Sequence, residues 1–285
     1  MDFWKIDRVL LQFLEEDIGY GDITTEGVFR GERARAVMVA KEGSICAGLP
    51  FSVRVFELLG GVKVLKSMAE GESFKRGDVI LELEGPADVL LKGERVALNL
   101  LQRLSGIATL TGEFVKRLEG TKTKLLDTRK TTPGLRFFEK YAVRVGGGTN
   151  HRFALYDMVL IKDNHKRVAG SISEAVKRVR ERLGPAYKVE VEVESLQELE
   201  EALACEVDMV MLDNFSLEEV RQALKLIKGR VKVEVSGNIT LENIRDYALE
   251  GVDYISTGAI THSARWVDVS MSIVIANPEG KQVNS

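Results

Sequence analysis

The C-terminal half of the chain repeats one short unit at a near-constant interval, and no other feature restricts the fold as strongly. The runs KVEVEV (188–193), DMVMLD (208–213), VKVEVS (231–236) and DYIST (253–257) begin 20, 23 and 22 residues apart. Between them lie segments opening SLQE (195–198), SLEE (216–219) and TLEN (240–243). In the first two, Ser195 and Ser216 can cap the orphan N–H groups of a helix while Glu198 and Glu219 reach back, and Thr240 can open the third helix the same way. Leu196, Leu199 and Leu203, then Leu217, Val220, Leu224 and Ile227, recur at helical spacing. Upstream, KLLDT (124–128) and DMVLIK (157–162) read as further strands, and SISEAVKRVRERLG (171–184) as the helix after the second. Such alternation with short connections implies a parallel sheet, and the count suits a closed or nearly closed β/α barrel. A doubly wound open sheet is the competing architecture, but no G-x-G-x-x-G follows a first strand with an acid about 20 residues on.

The first half has a different cadence. ARAVMVAKEGSICAG (34–48) and VKVLKSMAEGESFKRGDVILELEGPADVLL (62–91) are strand-like and punctuated by turns, with a helix expected at 50–59. Before them, Phe3, Ile6, Val9, Leu10, Phe13 and Leu14 mark an amphipathic helix rather than a signal peptide with a basic start. A long helical run (92–120) leads into the barrel. The expected organisation is an α+β domain over 1–104, joined by 269–285, and a barrel over 105–268. No apolar run reaches the roughly 18 residues of a membrane span. The net charge of −3 argues against a global nucleic-acid footprint. Cys46 and Cys205 are far apart and form no metal-type pair, so a reducing cytoplasm is the expected setting.

Barrel active sites form where strands end. Those ends carry Asp127, Thr128, Arg129 and Lys130; Lys162, Asp163, Asn164 and His165; Glu192 and Glu194; Asp213 and Asn214; Ser236, Gly237 and Asn238; Thr257, Gly258 and Ala259. Alternation puts Glu190, Glu192 and Glu194 on one face of their strand. A buried carboxylate row is costly unless paired or bound to a cation. Lumen lysines would satisfy it; with Asp213 on the next strand, a shared Mg²⁺ site at Glu192 and Asp213 is the alternative. Between residues 129 and 167, nine Lys or Arg face three acids, a surplus of six positive charges. Clustered at strand ends beside glycines, they suit a strongly anionic ligand. VSGN (235–238) and STGA (256–259) end successive late strands and have the form of phosphate loops. The triple glycine of RVGGGTNHR (144–152) reads instead as a hinge that aims His151 and Arg152 at a carboxylate. The histidines, His151, His165 and His262, form no zinc-type pair, and no serine sits in a G-x-S-x-G elbow.

The block DTRKTTPGLRFFEKYAVRVGGGTNHRFALYDMVLIKDNH (127–165) strongly resembles the quinolinate phosphoribosyltransferase family. EDIGYGDITT (16–25), GERVALNLLQRLSGIAT (93–109), VEVEVES, VMLDN, VSGNIT and GVDYISTGAITHS match it in the same order, so the resemblance spans essentially the whole chain. It implies an N-terminal α+β open sandwich and an incomplete, roughly seven-stranded β/α barrel, working as a dimer or hexamer with shared active sites. The implied reaction moves phosphoribose from phosphoribosyl pyrophosphate to quinolinate with loss of CO₂, giving nicotinate mononucleotide for NAD synthesis. By the same resemblance Arg129, His151, Arg152 and Lys162 bind quinolinate, and Arg95 is donated by a neighbouring subunit. Lys130, Glu192 and Asp213 handle pyrophosphate and Mg²⁺, while Ser236, Gly237, Asn238, Gly258, Ala259 and His262 surround the phosphate. A nicotinate-specific or molybdenum-associated sister enzyme is the runner-up. A Schiff-base aldolase using Lys130 or Lys162 would need a desolvated lysine of low pKa, and a lipoyl-type carrier leaves everything after residue 110 unexplained.

Overall fold

A computed structural model describes residues 4–275; Phe3 of the expected first helix and residues 276–285 of the expected C-terminal return lie outside the described residues. The chain divides into two compact units, Met1–Thr109 with Arg265–Ser285, and Leu110–Ala264. No helix among the described residues is long and apolar enough to cross a membrane.

The first unit opens with α1 (Trp4–Ile18), whose buried residues Ile6, Leu10 and Leu14 are spaced by one helical turn. It continues through α2 (Ile23–Val28), β1 (Arg33–Ala40), β2 (Ser44–Ile45), α3 (Leu49–Leu59), β3 (Lys63–Ser67), β4 (Ser73–Phe74), β5 (Val79–Pro86) and the start of α4 (Ala87–Arg117). β3, β5, β1 and the late strand β12 (Val269–Ile275) form an antiparallel sheet in the order β12-β1-β5-β3. Along β1 only Ala34, Ala36, Met38 and Ala40 are buried, the alternation of a sheet with one solvated face. The stretch ADVLL (87–91), read above as strand, is the first turn of α4. Pro86 lacks the N–H a strand interior would need, and Asp88 favours a helix N-terminus.

The second unit holds six parallel strands: β6 (Lys124–Leu126), β7 (Val159–Ile161), β8 (Val189–Val193), β9 (Met209–Asp213), β10 (Lys232–Ser236) and β11 (Tyr254–Ser256). Their order, β6-β11-β10-β9-β8-β7, follows the chain except that β6 pairs with β11, which is how a barrel begins to close. Thr149 extends the sheet beyond β6 through a single parallel bridge to Leu126. No ladder joins that segment to β7 among the described residues, so the barrel is incomplete. Helices α7 (Ile172–Arg182), α8 (Leu196–Leu203) and α9 (Leu217–Ile227) follow their strands as the periodicity requires. Ser171, Ser195 and Ser216 cap them, each accepting an N–H three residues on.

Three local expectations change. Of the two expected capping boxes only that of Ser216 and Glu219 is complete, because Glu198 is taken by the N–H of Glu194 and by Lys166 Nζ. The helix after Thr240 shrinks to α10 (Ile244–Tyr247), capped at Asn243, whose side chain accepts from Thr240 N–H. Two helices escape the periodicity: α5 (Arg136–Val145) and α6 (Asp163–Ala169), which turns the strand end at Lys162 directly into a helix. A last turn, α11 (Ala259–His262), completes the unit.

The triple glycine divides its tasks. Gly146 caps α5 and Gly147 takes a φ of +89°, open to glycine at little cost. A Cβ on Gly148 would lie 2.8 Å from Val143 Cγ1 and 2.9 Å from Thr111 Cγ2. Gly148→Ala should therefore destabilise the protein by roughly 1–3 kcal/mol, read as a lowered denaturant midpoint. An unchanged midpoint would mean that α5 and the Thr149 segment can separate freely.

Candidate active site

The C-terminal strand ends and the segment after Thr149 enclose a cavity of about 360 Å³ in the second unit. Arg129, Lys130, Arg152 and Lys162 line it with positive charge, Glu192 and Asp213 with negative charge, and His151, Glu234, Ser236 and Ser256 with hydrogen-bonding groups. Sequence reasoning and tertiary structure thus bring eight expected residues into one space.

Arg152 is the most constrained cation. It is 9% exposed, and its guanidinium donates to the Met158 carbonyl at 3.0 Å. Burial and then the charge of Arg129 both hold its pKa below the usual arginine value. Two guanidiniums that repel each other in a half-closed cavity make an anion the natural occupant. Lys162 pairs with Glu192. Asp213, on the neighbouring strand, has its carboxyl pushed up by burial first and by Glu192 second. Glu194, expected on the same buried face as Glu190 and Glu192, lies past the end of β8 and is exposed.

His151 lines the cavity, and both of its ring nitrogens also have partners within the protein. Its Nδ1 accepts the Arg152 N–H at 2.7 Å, and its Nε2 lies 3.0 Å from Glu190 Oε2 and 3.2 Å from Glu234 Oε2. Both ring nitrogens are spent inside the protein. Burial opposes a second proton on the ring, whereas hydrogen bonds with Glu190 and Glu234 favour it and push the pKa up to about 10. The Arg152 N–H decides where that proton resides, because it needs a lone pair on Nδ1. With Nδ1 accepting that N–H, the proton on Nε2 is directed at the Glu190 carboxylate. Burial, and then the charge of Glu234, push the Glu190 carboxyl up to about 7.

The backbone of this segment is held by Asp127, a strand-end residue already evident in the sequence, and by Lys140 and Asn150, which sequence reasoning passed over. Asp127 accepts from Lys140 Nζ, from Asn150 Nδ2 and, at 2.8 Å, from His151 N–H. Lys140 Nζ also donates to the His151 carbonyl at 3.2 Å. Lys140 sits mid-helix in α5, where nothing in its neighbours marks it as buried. Glu234 was legible in principle, since VKVEVS places a glutamate between valines inside a buried parallel strand just as KVEVEV does.

The two late loops flank the cavity. Gly237 has φ +93°, and a Cβ there would meet the Asn214 side chain at 2.3 Å and its backbone nitrogen at 2.7 Å. Asn238, at φ 52°, donates to Asn214 Oδ1 at 3.0 Å. Gly258 lies under Lys130 and His262: a Cβ would come within 2.8 Å of the lysine Cδ and 2.9 Å of the imidazole. Thr261 Oγ1 donates to the Lys130 carbonyl, fixing α11, and with it Ala259, against that strand end. Arg95 is exposed on α4, in the first unit.

The sequence matches the family models for the quinolinate phosphoribosyl transferase N-terminal domain over residues 22–105 and C-terminal domain over 107–272. A probable nicotinate-nucleotide pyrophosphorylase [carboxylating] of Bacillus subtilis is 46% identical over 278 residues, covering 97% of this chain and 96% of the relative. One from Synechocystis is 45% identical over 273 residues, covering 94% and 92%. The crystal structure of NadC from Streptococcus pyogenes superposes with a TM-score of 0.93 at 44% identity, over 97% of this chain and 99% of the other.

Proposed function

The chain belongs to the quinolinate phosphoribosyltransferase family, and from that premise we propose how its cavity performs the family's reaction, the transfer of phosphoribose to quinolinate with decarboxylation in NAD biosynthesis. The observation that carries the reading is the facing of Arg129, Arg152 and Lys162 against Glu192 and Asp213 within one cavity. A dicarboxylate and a polyphosphate repel each other, so their approach requires clustered cations. Arg129 and Arg152 take the two quinolinate carboxylates, and Lys162, partly neutralised by Glu192, completes that end. Lys130, Ser236 and the loops at Gly237, Asn238, Gly258, Ala259 and His262 take the phosphoribosyl end.

The ring nitrogen of quinolinate attacks C1 of the ribose as the C1–O bond to pyrophosphate breaks. Positive charge develops on the ribose, and the carboxylate of Glu192 stabilises it electrostatically. The pyridinium then lets the adjacent C–CO₂ bond break, because the electron pair left on the ring carbon is stabilised by the cationic nitrogen. CO₂ leaves, and that carbon takes a proton from water. The residues mainly hold and orient, and no side chain needs to act as a strong base.

Glu192 and Asp213 fit Mg²⁺: two neighbouring carboxylates, one with its pKa raised by burial and by the other, are relieved by a divalent cation. When bound, Mg²⁺ supplies charge neutralisation for pyrophosphate. We further propose a homo-oligomer in which Arg95 enters a neighbouring subunit's cavity, supported by its exposure on a helix surface. A cytoplasmic setting is supported by two cysteines that remain thiols. Incubation with quinolinate, phosphoribosyl pyrophosphate and Mg²⁺ should release CO₂ and nicotinate mononucleotide, and chelation should stop it. Turnover of nicotinate without quinolinate turnover would transfer the assignment to the sister enzyme.

A further inference from the structure

Beneath the cation-rich mouth runs a chain of hydrogen bonds that the steps above do not use. At one end the Arg152 N–H donates to His151 Nδ1, which leaves the ring proton on Nε2, directed at Glu190 and Glu234. At the other, Ser256 Oγ donates to Glu234 Oε1 and lies 3.0 Å from Ser236 Oγ. A hydroxyl has one proton, so with that of Ser256 given to Glu234, Ser236 must be the donor to Ser256. Glu234, fully buried in the middle of β10, therefore accepts from Ser256 through Oε1, while its Oε2, without a hydrogen-bond partner, lies 3.2 Å from the His151 Nε2 that is bonded to Glu190. The His151, Glu190 and Glu234 cluster also has the composition of a metal site. A metal on Nε2 would need the ring proton on Nδ1, where the Arg152 N–H already points, so hydrogen-bonding is the reading the geometry favours.

We propose that Glu234 is a positioning residue that couples the two ends of the cavity, holding Arg152 through His151 and Ser236 through Ser256. The coupling rests on the reading that Ser236 meets phosphate and Arg152 meets quinolinate. A phosphate at Ser236 draws its hydroxyl proton outward, Ser256 turns to follow, and Glu234 Oε1 loses its donor. The Nε2–H of His151, bonded to Glu190, then shifts toward the unpartnered Glu234 Oε2, and the ring carries the Arg152 backbone with it. Networks in low dielectric transmit such changes because each bond polarises the next. Filling one end thus pre-sets the other.

Calorimetric titration of the intact protein with quinolinate, with and without saturating ribose 5-phosphate, reads this coupling. In the wild type the quinolinate affinity should rise by about fivefold or more when the sugar phosphate is present. Ser256→Ala, and independently Glu234→Gln, should bring that ratio close to one; if one variant fails to fold, the other carries the test. Loss of quinolinate affinity in both variants with the wild-type ratio preserved is what a merely structural role produces, and it overturns the proposal. So does a wild-type ratio of one. Wild-type turnover of quinolinate separates the two readings: turnover without coupling discards only the coupling, whereas no turnover discards both.

Discussion

Arg152→Ala should lower kcat/KM for quinolinate on the order of 10³-fold, about 4 kcal/mol, the loss typical when one partner of a buried charge-assisted contact is removed. Arg152 is buried, fixed by the Met158 carbonyl, and set against Arg129. Its removal empties the best-held cation position and leaves one carboxylate of the substrate without a fork. The KM for phosphoribosyl pyrophosphate should change far less, because Lys130 and the late loops are untouched. Arg152→Lys should recover only part of the loss, since an ammonium cannot reproduce two parallel N–H donors. Equal losses for both substrates would point to a collapsed site instead. Arg152→Ala subunits mixed with Arg95→Ala subunits should regain activity if Arg95 is donated across a subunit boundary. Proven mixed assemblies without recovery would remove Arg95 from the site.

The second large effect belongs to a residue that need not touch substrate. Lys140→Met should destabilise the protein by about 3–5 kcal/mol, because it leaves the buried Asp127 carboxylate without its cation. At roughly 2–4 °C per kcal/mol, that is a fall in melting temperature of about 6–20 °C. Burial pushes Asp127 up and Lys140 down, and only their mutual attraction and hydrogen bonds offset it. The double variant Asp127→Asn with Lys140→Met should therefore melt higher than Lys140→Met alone, as removal of both charges leaves no orphan. If the double variant melts at or below the single, the pair is not the source of the loss. Because Asp127 and Lys140 hold the His151 N–H and carbonyl, both variants should also weaken quinolinate binding at temperatures where they remain folded.

Arg152 was visible beforehand as a cation beside a histidine after a glycine hinge. Lys140 was not: in RFFEKYAVRV it looks like any exposed lysine of an amphipathic helix, and that helix itself falls outside the strand–helix period. Its burial follows from the partners it reaches, Asp127 just after β6 and the His151 carbonyl. With only one bridge at Thr149, the backbone beyond has few ladder partners, so side chains supply them.

The sequence by itself determined the architecture. Alternation at a period of two within strands and 3.6 within helices decides which face is apolar, and spacing of about 22 residues between strand starts demands a parallel sheet, with the absence of a dinucleotide fingerprint favouring the barrel over an open sheet. It also pointed to an anionic ligand, because nine Lys or Arg against three acids between residues 129 and 167 leave a local surplus of positive charge. Only the tertiary structure decided what each polar group does with its hydrogen bonds. His151 lines the cavity as expected, but its ring also holds partners no pattern showed: its Nδ1 accepts the N–H of the very next residue and its Nε2 meets Glu190. Glu190, Glu192 and Glu194 looked equivalent along one strand face. They separate into a lumen carboxyl bonded to His151, an ion pair with Lys162, and an exposed side chain, because depth along the barrel axis, which no local pattern encodes, sets the partners each can reach.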